Sequence, residues 1–377
     1  MSIKITGYEA LCNLGENIDE IYSNAIEGNS SRFISDKNLV KFPIYTGKIN
    51  AKLNFEIKEN DFNLRCNKLI LKTLSQMTDK INKVINKYPK ERIGIVCTTT
   101  NSGVEEYETT RNKAHYKLSN PALFLKNHLS LKNVDITVST ACSSGLKGFL
   151  TSRDLLNSNV CDCIIMTSVD PVAKIPLYGF NSLEVMSKEL SNPFSKNRKG
   201  MNLGEACIIF ILEKNQKNGI EILGIGETSD IYHLTTPNPD GKKIVEAILN
   251  ALNNSNLSPN DIDYINLHGT GTIANDKAEA NGIYEIFKNL TPASSTKPVT
   301  GHCLGAAAGI ETALCCKLIE NFDGRLYPHI YDGIYDNTIS KINLVQKGQK
   351  YKKCEICMCN SFGFGGTNSI LILGHKK

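Results

Sequence analysis

The stretch Val138-Ser-Thr-Ala-Cys142-Ser-Ser-Gly145 joins a run of β-branched residues to a run with helical spacing. The preceding segment DITVST (135–140) predicts a short buried strand. The following segment, 145–157, repeats apolar residues every three or four positions and predicts a helix. Cys142 then lies at a helix N-terminus, where unpaired N–H groups and the helix dipole favour a thiolate. The pattern predicts a nucleophile, and the alternative is a buried structural cysteine.

Two distant histidines occupy comparable positions. His268 follows the apolar run DYINL and enters the Gly/Thr-rich turn HGTGT, and His302 lies in KPVTGHCLGAAAG just before a predicted helix. Catalytic groups tend to lie on such loops at the ends of rigid elements. Each histidine alone is explained as a core or surface residue. Together with Cys142 they fit a nucleophile served by two imidazoles that donate hydrogen bonds or move protons.

A glycine loop near the C-terminus completes the set. The segment NSFGFGGTNSILILG (360–374) predicts two strands around a loop in which Phe364 is the only bulky side chain. Glycines there can adopt positive φ and bring backbone N–H groups close to a ligand. Such groups could contribute to an oxyanion hole, and the alternative is an ordinary hairpin turn.

Strand and helix patterns alternate along the chain, which predicts an α/β fold with buried, mostly parallel sheets. Strands are predicted at 4–11, 92–99, 135–140, 161–169, 205–213, 220–227, 263–268 and on both sides of Phe364. Helices are predicted at 18–27, 64–87, 145–157, 243–254, 276–287 and 305–321. The last is almost uncharged at its start, which predicts a helix buried on all sides.

Composition excludes several classes of protein. The 377 residues are 41% hydrophobic and 21% charged, without an apolar run long enough to cross a bilayer. The N-terminus has no secretory-signal pattern, and the 13 cysteines fit a reducing cytoplasm, so a cytoplasmic location is predicted. The net charge of +5 is dispersed, which argues against nucleic acid. The pair Cys354 and Cys357 lacks further ligands at zinc spacing, so no metal is predicted.

Four motifs in this order carry a family resemblance: TACSSG, NLHGTGT, STKPVTGHCLGAAAGIE and NSFGFGGTN. They resemble the β-ketoacyl-acyl-carrier-protein synthases of the Cys-His-His kind, over nearly the whole chain. The stretches PLYGFNSLEVMS and GIGETSDIYHLTTPNPDG look most similar to ketosynthases of aryl polyene pathways. The resemblance implies a thiolase-like fold with two similar α/β halves in a five-layer αβαβα arrangement. We place the N-terminal half at residues 1–213 and the C-terminal half at 214–377.

The resemblance also implies a decarboxylative Claisen condensation of malonyl-acyl carrier protein with an acyl chain held on Cys142. His268 and His302 would serve malonyl decarboxylation more than acyl loading. The N–H groups of Cys142 and Phe364 would form the oxyanion hole. The implied pathway is fatty acid or polyketide biosynthesis, including aryl polyene-like products.

Further site residues follow from the resemblance. Lys297 and Glu311 would form a supporting pair, with surface placement as the alternative. Thr270 and Thr272 would bind the pantetheine arm. The remaining candidates are Phe180 and Phe364 in the acyl pocket and Arg65 as a carrier-protein-binding cation, or part of a solvated helix face.

The implied partners are acyl carrier protein and a second ketosynthase-fold subunit, as a homodimer or heterodimer. No cofactor is implied, because the substrates are carried on the phosphopantetheine of acyl carrier protein. We expect the apolar strand CDCIIMTSV (161–169) to pair across the two-fold axis, since it would otherwise be an exposed edge.

Three other functions share parts of this pattern. A thiolase-type acyltransferase would have a second catalytic cysteine where this chain has the Phe364 loop. A chain-length-factor-like subunit, catalytically weak, has the same fold, but the presence of Cys142, His268 and His302 argues against it. A cysteine hydrolase would also use a Cys/His pair but would release a free acid.

Overall fold

A computed structural model describes residues 2–35 and 39–375 of the chain. The strands in this part are β1 (Ile3–Cys12), β2 (Ile34–Ser35), β3 (Tyr45–Gly47), β4 (Ile93–Thr98), β5 (Asp135–Val138), β6 (Cys163–Asp170), β7 (Leu203–Gly204), β8 (Ala206–Lys214), β9 (Ile220–Ser229), β10 (Tyr264–Asn266), β11 (Ala293–Ser294), β12 (Ile356–Gly363) and β13 (Thr367–Gly374). The helices are α1 (Ile18–Ile26), α2 (Arg65–Gln76), α3 (Thr78–Lys87), α4 (Val104–Thr110), α5 (Asn120–His128), α6 (Ser144–Asn157), α7 (Lys174–Ser182), α8 (Lys242–Ser255), α9 (Ile273–Phe287), α10 (Lys297–Thr300) and α11 (Ala307–Glu320).

One large sheet runs through the molecule in the order β11-β10-β12-β13-β9-β1-β8-β6-β4-β5. It consists of two sets of five strands, the first made of β1, β4, β5, β6 and β8 and the second of β9 to β13. When the strands of each set are numbered along the chain, both sets have the spatial order 3-2-4-5-1. The sets meet where Lys4 and Ile5 pair with Glu221 and Ile220. This repeat confirms the predicted fold of two similar halves.

Helices separate and cover the two sets of strands. Helix α6 contacts β4 and β6 of the first set and β13 of the second, and α11 contacts strands of both sets. Helices α2 and α5 pack on the outer face of the first set, while α8 covers the second set and packs on α9. The layers therefore follow the predicted αβαβα sequence. From Ala307 to Ile319, helix α11 is buried except at Lys317, as its uncharged sequence predicts.

Three element predictions need correction. The large sheet is mixed rather than mostly parallel, with five antiparallel and four parallel pairings between neighbouring strands. The helix predicted at 64–87 is two helices, α2 and α3, because the backbone of Met77 leaves the helical region at φ −123°. Strand β5 is half-buried rather than buried, because it has a neighbour on one side only.

The predicted dimer strand is also wrong. The segment 161–169 contains most of β6, which lies between β4 and β8 and is fully buried. The free edge of the first set is β5, the strand before Cys142. The boundary at residues 213 and 214 falls at the end of β8 and stays a prediction. Within the described ranges, no helix combines the length and apolar character needed to cross a bilayer.

Candidate active site

Cys142 lies in the tight turn between β5 and α6. Ala141 has φ +53°, which turns the chain sharply so that the helix begins at Ser144. The next turn is packed closely against α11, because a Cβ at Gly145 would be 2.8 Å from the backbone nitrogen of Gly309. The turn and this contact together hold Cys142 in place just before the N-terminus of α6.

The structure brings Cys142, His268 and His302 together. Sγ of Cys142 lies 3.0 Å from Nε2 of His302. The imidazole rings are perpendicular, with centroids 5.5 Å apart. All three residues are buried, with exposed fractions of 7%, 2% and 1% respectively. Among the described residues, they form the one cluster of three possible metal ligands with donor atoms within 4.8 Å of one another.

Lys297 and Glu311 form an ion pair inside the protein beside this cluster. Nζ of Lys297 lies 2.5 Å from Oε1 of Glu311 and 3.4 Å from Nδ1 of His268. Both charged side chains are 1% exposed, so the alternative of surface placement is wrong. Because an ammonium group only donates, Nδ1 of His268 accepts and its proton is on Nε2. That N–H is then free to donate to a substrate.

Burial decides the charge states of the three central side chains. It raises the pKa of the Cys142 thiol to about 11, although Lys297 and the N–H groups of Phe364 and Cys142 oppose the rise. Burial and the charge of Lys297 hold the pKa values of His268 and His302 well below the usual range. The imidazoles are therefore neutral at pH 7. The resting cysteine is a thiol, contrary to the thiolate expected from the helix N-terminus, because desolvation outweighs the nearby positive charge.

The glycine loop between β12 and β13 lies directly over Cys142. The rings of Phe364 and Phe180 are 5.7 Å apart. Gly366 has φ +78°, and a Cβ there would overlap the carbonyl oxygen of Asp230. Ser361 donates a hydrogen bond to the Cys142 carbonyl at 2.9 Å, which ties the strand before the loop to the nucleophile turn.

A cavity of about 310 Å³ connects these groups to the surface. Its inner end contains the three central side chains, and its walls include the predicted pocket and pantetheine residues. These are Phe180, Phe364, Thr270 and Thr272. The hydroxyl oxygens of the two threonines are 3.0 Å apart. The predicted binding residues therefore share one cavity with Cys142.

Arg65 does not join this site. Its guanidinium pairs with the fully buried Glu205, with Nε 3.3 Å from Oε2, and also donates to the carbonyl of Ile49 at 3.2 Å. With 23% of its side chain exposed, Arg65 is a partly buried member of an ion pair rather than part of a freely solvated helix face. Its role in binding a carrier protein stays a prediction.

Two buried carboxylates that position the site were missed from the sequence. Glu279 accepts from the backbone N–H groups of His268 and Gly269, both at 2.7 Å, and from Asn360 at 3.1 Å. Asp170 accepts from the backbone of Gly305 at 2.7 Å, just beyond His302. The sequence offered one signal for Glu279: it lies three residues after Asp276, so both carboxylates fall on one face of the predicted helix. The carboxylate oxygens of Glu279 and Asp170 reach the N–H groups from which they accept only in the folded chain.

Four other cysteines contact one another in pairs. Sγ atoms of Cys354 and Cys357 are 3.5 Å apart, and those of Cys315 and Cys359 are 3.7 Å apart, all on buried residues. Cys315 of α11 therefore packs on Cys359 of β12, and Cys354 packs on Cys357.

Comparisons with known proteins agree with this geometry. The family models described as Beta-ketoacyl synthase, N-terminal domain and Beta-ketoacyl synthase, C-terminal domain match residues 90–218 and 220–324. The 3-oxoacyl-[acyl-carrier-protein] synthase I, chloroplastic, of Arabidopsis thaliana is 27% identical over 420 residues, which cover 100% of this chain and 87% of that protein. The 3-oxoacyl-[acyl-carrier-protein] synthase 2 of Coxiella burnetii is 33% identical over 261 residues, covering 64% and 62% of the two chains. A solved structure of a ketosynthase in complex with its chain length factor, from Xenorhabdus doucetiae, matches with a TM-score of 0.93 and 33% identity, covering 100% of this chain and 98% of that one.

Proposed function

This chain belongs to the β-ketoacyl synthase family, and from that premise we propose how its residues carry out a decarboxylative condensation. The protein is a condensing acyltransferase that acts as a 3-oxoacyl-[acyl-carrier-protein] synthase. One observation carries the residue assignments: the Cys142 sulfur lies 3.0 Å from His302, in a cavity that also contains His268 and the Phe364 loop.

Acyl transfer to Cys142 is the first step. The thiol gives its proton towards Nε2 of His302 as sulfur attacks the thioester carbonyl of the acyl-carrier. The N–H groups of Cys142 and Phe364 stabilise the oxyanion. The carbon–sulfur bond to pantetheine then breaks, and the leaving thiolate takes the proton. Cys142 now holds the acyl chain as a thioester.

Condensation follows when the malonyl-carrier enters. The bond to the malonyl carboxylate breaks, CO2 leaves, and the electron pair forms an enolate at the thioester carbonyl. The Nε2–H group of His268 stabilises that oxygen, and His302 does the same after its proton has moved from Nδ1 to Nε2, a change of tautomer that is open to it once Cys142 is acylated. The enolate carbon attacks the acyl carbonyl, and the Cys142 sulfur leaves as a thiolate. That thiolate is ready for the next acyl chain or takes a proton from water.

Lys297 supports this step through charge and position. Its contact with Nδ1 holds His268 in the Nε2–H tautomer, and its positive charge favours the enolate. Glu311 compensates the buried ammonium; burial raises the pKa of Glu311 to about 7, while Lys297 lowers it. A buried cation without such a partner would be strongly unfavourable.

We propose a planar, unsaturated acyl chain, as in aryl polyene-like products. Phe180 and Phe364 place two aromatic rings in the wall of the cavity, at a centroid distance of 5.7 Å and an interplanar angle of 57°. Aromatic faces pack well against flat conjugated groups. Thr270 and Thr272 would hydrogen-bond the pantetheine arm behind the thioester.

For partners, we propose acyl carrier protein and a second ketosynthase-fold subunit. The exposed edge strand β5 supports a dimer, because a free edge is usually covered. The Xenorhabdus structure is a complex with a chain length factor, which supports a heterodimer here. All 13 cysteines are free thiols, which supports a cytoplasmic location.

The test is an assay of the purified protein, alone and with a co-expressed related subunit. Acyl-carrier and malonyl-carrier are supplied, and CO2 and the mass of the carrier product are measured. We expect equimolar CO2 and a chain longer by two carbons. Release of free acid would show a hydrolase, and CO2 release without extension in either preparation would favour the chain-length-factor-like alternative.

A further inference from the structure

The nucleophile turn and the glycine loop come from distant parts of the chain, and two hydroxyl groups join them. Ser143 directly follows Cys142, is fully buried, and its Oγ lies 2.7 Å from Oγ1 of Thr367. Thr367 directly follows the loop of residues 364–366 and closes the hairpin by pairing with Gly363. One hydroxyl therefore adjoins the nucleophile, and the other adjoins the loop that lies over it.

The hydroxyl of Ser143 uses its full hydrogen-bonding capacity here. It donates to the carbonyl oxygen of Thr140 at 2.8 Å. Oγ of Ser143 also lies 3.1 Å from Oγ1 of Thr140 and 2.7 Å from Oγ1 of Thr367. Because a serine hydroxyl donates once and accepts twice, both threonine hydroxyls donate to Ser143. The hydroxyls of Thr140, Ser143 and Thr367 are called the hydroxyl clasp below, and each of them has a partner within it.

The backbone of the glycine loop packs on the nucleophile turn at the same place. A Cβ on Gly363 would lie 2.7 Å from Oγ1 of Thr367 and 3.0 Å from the carbonyl oxygen of Thr140. It would also lie 3.2 Å from the backbone nitrogen of Ser143. Only a residue without a side chain allows this approach. The hydroxyl clasp and Gly363 together bring the two backbones into contact.

The two donors assigned to the oxyanion hole flank this contact. Phe364 directly follows Gly363, and Cys142 directly precedes Ser143. The N–H groups of Phe364 and Cys142 both lie close enough to the Cys142 sulfur to lower the pKa of the thiol. Donors act on an oxyanion at about 2.7–3.1 Å, so the distance between the two must be held closely.

We propose that Ser143 and Thr367 are positioning residues, which fix the N–H groups of Cys142 and Phe364 at the separation that the oxyanion hole requires. The proposal rests on the proposed function, which assigns those two donors to the acyl oxygen. Among the described residues that line the cavity, neither Ser143 nor Thr367 occurs, so both act through the backbone that they hold. The enolate oxygen is stabilised by histidines instead. The hydroxyl clasp therefore serves acyl transfer and not decarboxylation.

The first experiment removes one hydroxyl without changing the shape of the side chain. In Thr367→Val we expect the rate of acyl loading on Cys142 at saturating acyl-carrier to fall about tenfold, less than the roughly 10²–10³ typical when a donor is removed. The KM for the acyl-carrier should not change. Thr367→Ser keeps the hydroxyl and should recover most of the wild-type rate. If Thr367→Ser is as slow as Thr367→Val, the hydroxyl is not responsible and the proposal is overturned.

Ser369→Ala is the matched control for this series. Ser369 lies on the same strand, is buried, and donates to Glu227 rather than to the hydroxyl clasp. Its loading rate should equal that of the wild type. An equal loss of rate in Ser369→Ala and Thr367→Val would show a general effect of removing hydroxyls from β13 and would contradict the proposal.

Decarboxylation distinguishes a positioning role from a merely structural one. In Cys142→Ala, which has no thiol to acylate, CO2 release from malonyl-carrier reports on the histidines alone. Adding Thr367→Val to this protein should leave the rate of CO2 release unchanged, whereas a generally disordered site would lower it. A parallel fall in loading and in CO2 release would overturn the proposal.

A double variant tests whether the two hydroxyls act as one unit. Ser143→Ala should slow loading about as much as Thr367→Val, and the double variant should be no slower than either single variant, because all three lack the same contact. If the two losses multiply, the residues act independently and the hydroxyl clasp is rejected.

Amide hydrogen exchange separates this proposal from the proposed function, because it needs no catalysis. We expect exchange in residues 361–368 to be faster in Thr367→Val than in the wild type and in Thr367→Ser. Faster exchange in Thr367→Val, with no acyl loading of the wild type, would retain the hydroxyl clasp and reject the ketosynthase. Equal loading rates in the wild type and Thr367→Val would reject the role of the clasp and retain the ketosynthase.

Discussion

At the scale of single residues, the unexpected property is the protonated resting state of Cys142. Burial raises its pKa to about 11, so few molecules carry the thiolate at pH 7. We expect the alkylation rate of Cys142 by iodoacetamide to increase about tenfold per pH unit between pH 7 and 10, in proportion to the thiolate fraction. Intact-mass measurement follows it, with Cys142→Ala to identify modification of other cysteines. A plateau below pH 8 would show a thiolate stabilised by the helix.

The two histidines differ in their contacts, which changes the roles expected of them. His302 faces the sulfur, whereas His268 is held by Lys297. We expect His268→Ala to keep acyl loading on Cys142 and to reduce condensation by about 10²–10³. His302→Ala should slow both reactions, because the thiol then has no proton acceptor. Intact-mass labelling measures loading and CO2 release measures condensation. Equal rates of acyl loading in the wild type and in His302→Ala would contradict the role of His302 as the acceptor of the thiol proton.

At the scale of elements, β5 is the strand available for pairing with a second subunit. The carbonyls of Val134 and Val138 accept from Ile95 and Thr99 of the β4 side. Because N–H and C=O of one residue point to the same side of a strand, those of Thr137 point to the free edge. Thr137→Pro should therefore leave the β4 pairing intact and remove one donor from the dimer contact.

We expect Thr137→Pro to convert a dimer into a 41.6 kDa monomer in sedimentation at micromolar concentration. Thr137→Val is the control, since it keeps the N–H group and should remain dimeric. A dimeric Thr137→Pro protein of normal stability would place the interface elsewhere.

At the scale of the whole molecule, buried histidines make stability depend on pH. Burial lowers the pKa of His329 to about 4, whereas in the unfolded chain it is about 6.5. Below pH 6.5 the unfolded state binds more protons at this residue, so its contribution to stability falls as the pH falls towards 4. Buried carboxyls with raised pKa, such as Glu279 at about 7, act in the opposite direction.

His329→Gln isolates this contribution. Urea unfolding should show the free energy of unfolding of the wild type falling, relative to the variant, by up to about 1.4 kcal/mol per pH unit between pH 6.5 and 4. The difference should be constant between pH 7 and 8. A constant difference over the whole range would mean that His329 has the same pKa in the folded and the unfolded protein, contrary to this prediction.

The sequence alone determined the strand–turn–helix at Cys142, the glycine loop at Phe364 and the order of the motifs. These features depend on local periodicity and on backbone conformations that few residues adopt, so they are encoded within each segment. The central histidines were indicated by their positions at strand and loop ends, whereas the two similar halves followed from the family resemblance that the motifs carry.

Tertiary structure decided which strand is the free edge, which pairings are antiparallel and which residues hold the site. In the folded chain, Arg65 forms an ion pair with Glu205, and Glu279 accepts a hydrogen bond from the backbone of His268. It also reversed the expected charge of Cys142, because desolvation depends on every segment that packs around a group. Burial and pairing are set by residues far apart in the chain, and no local pattern contains them.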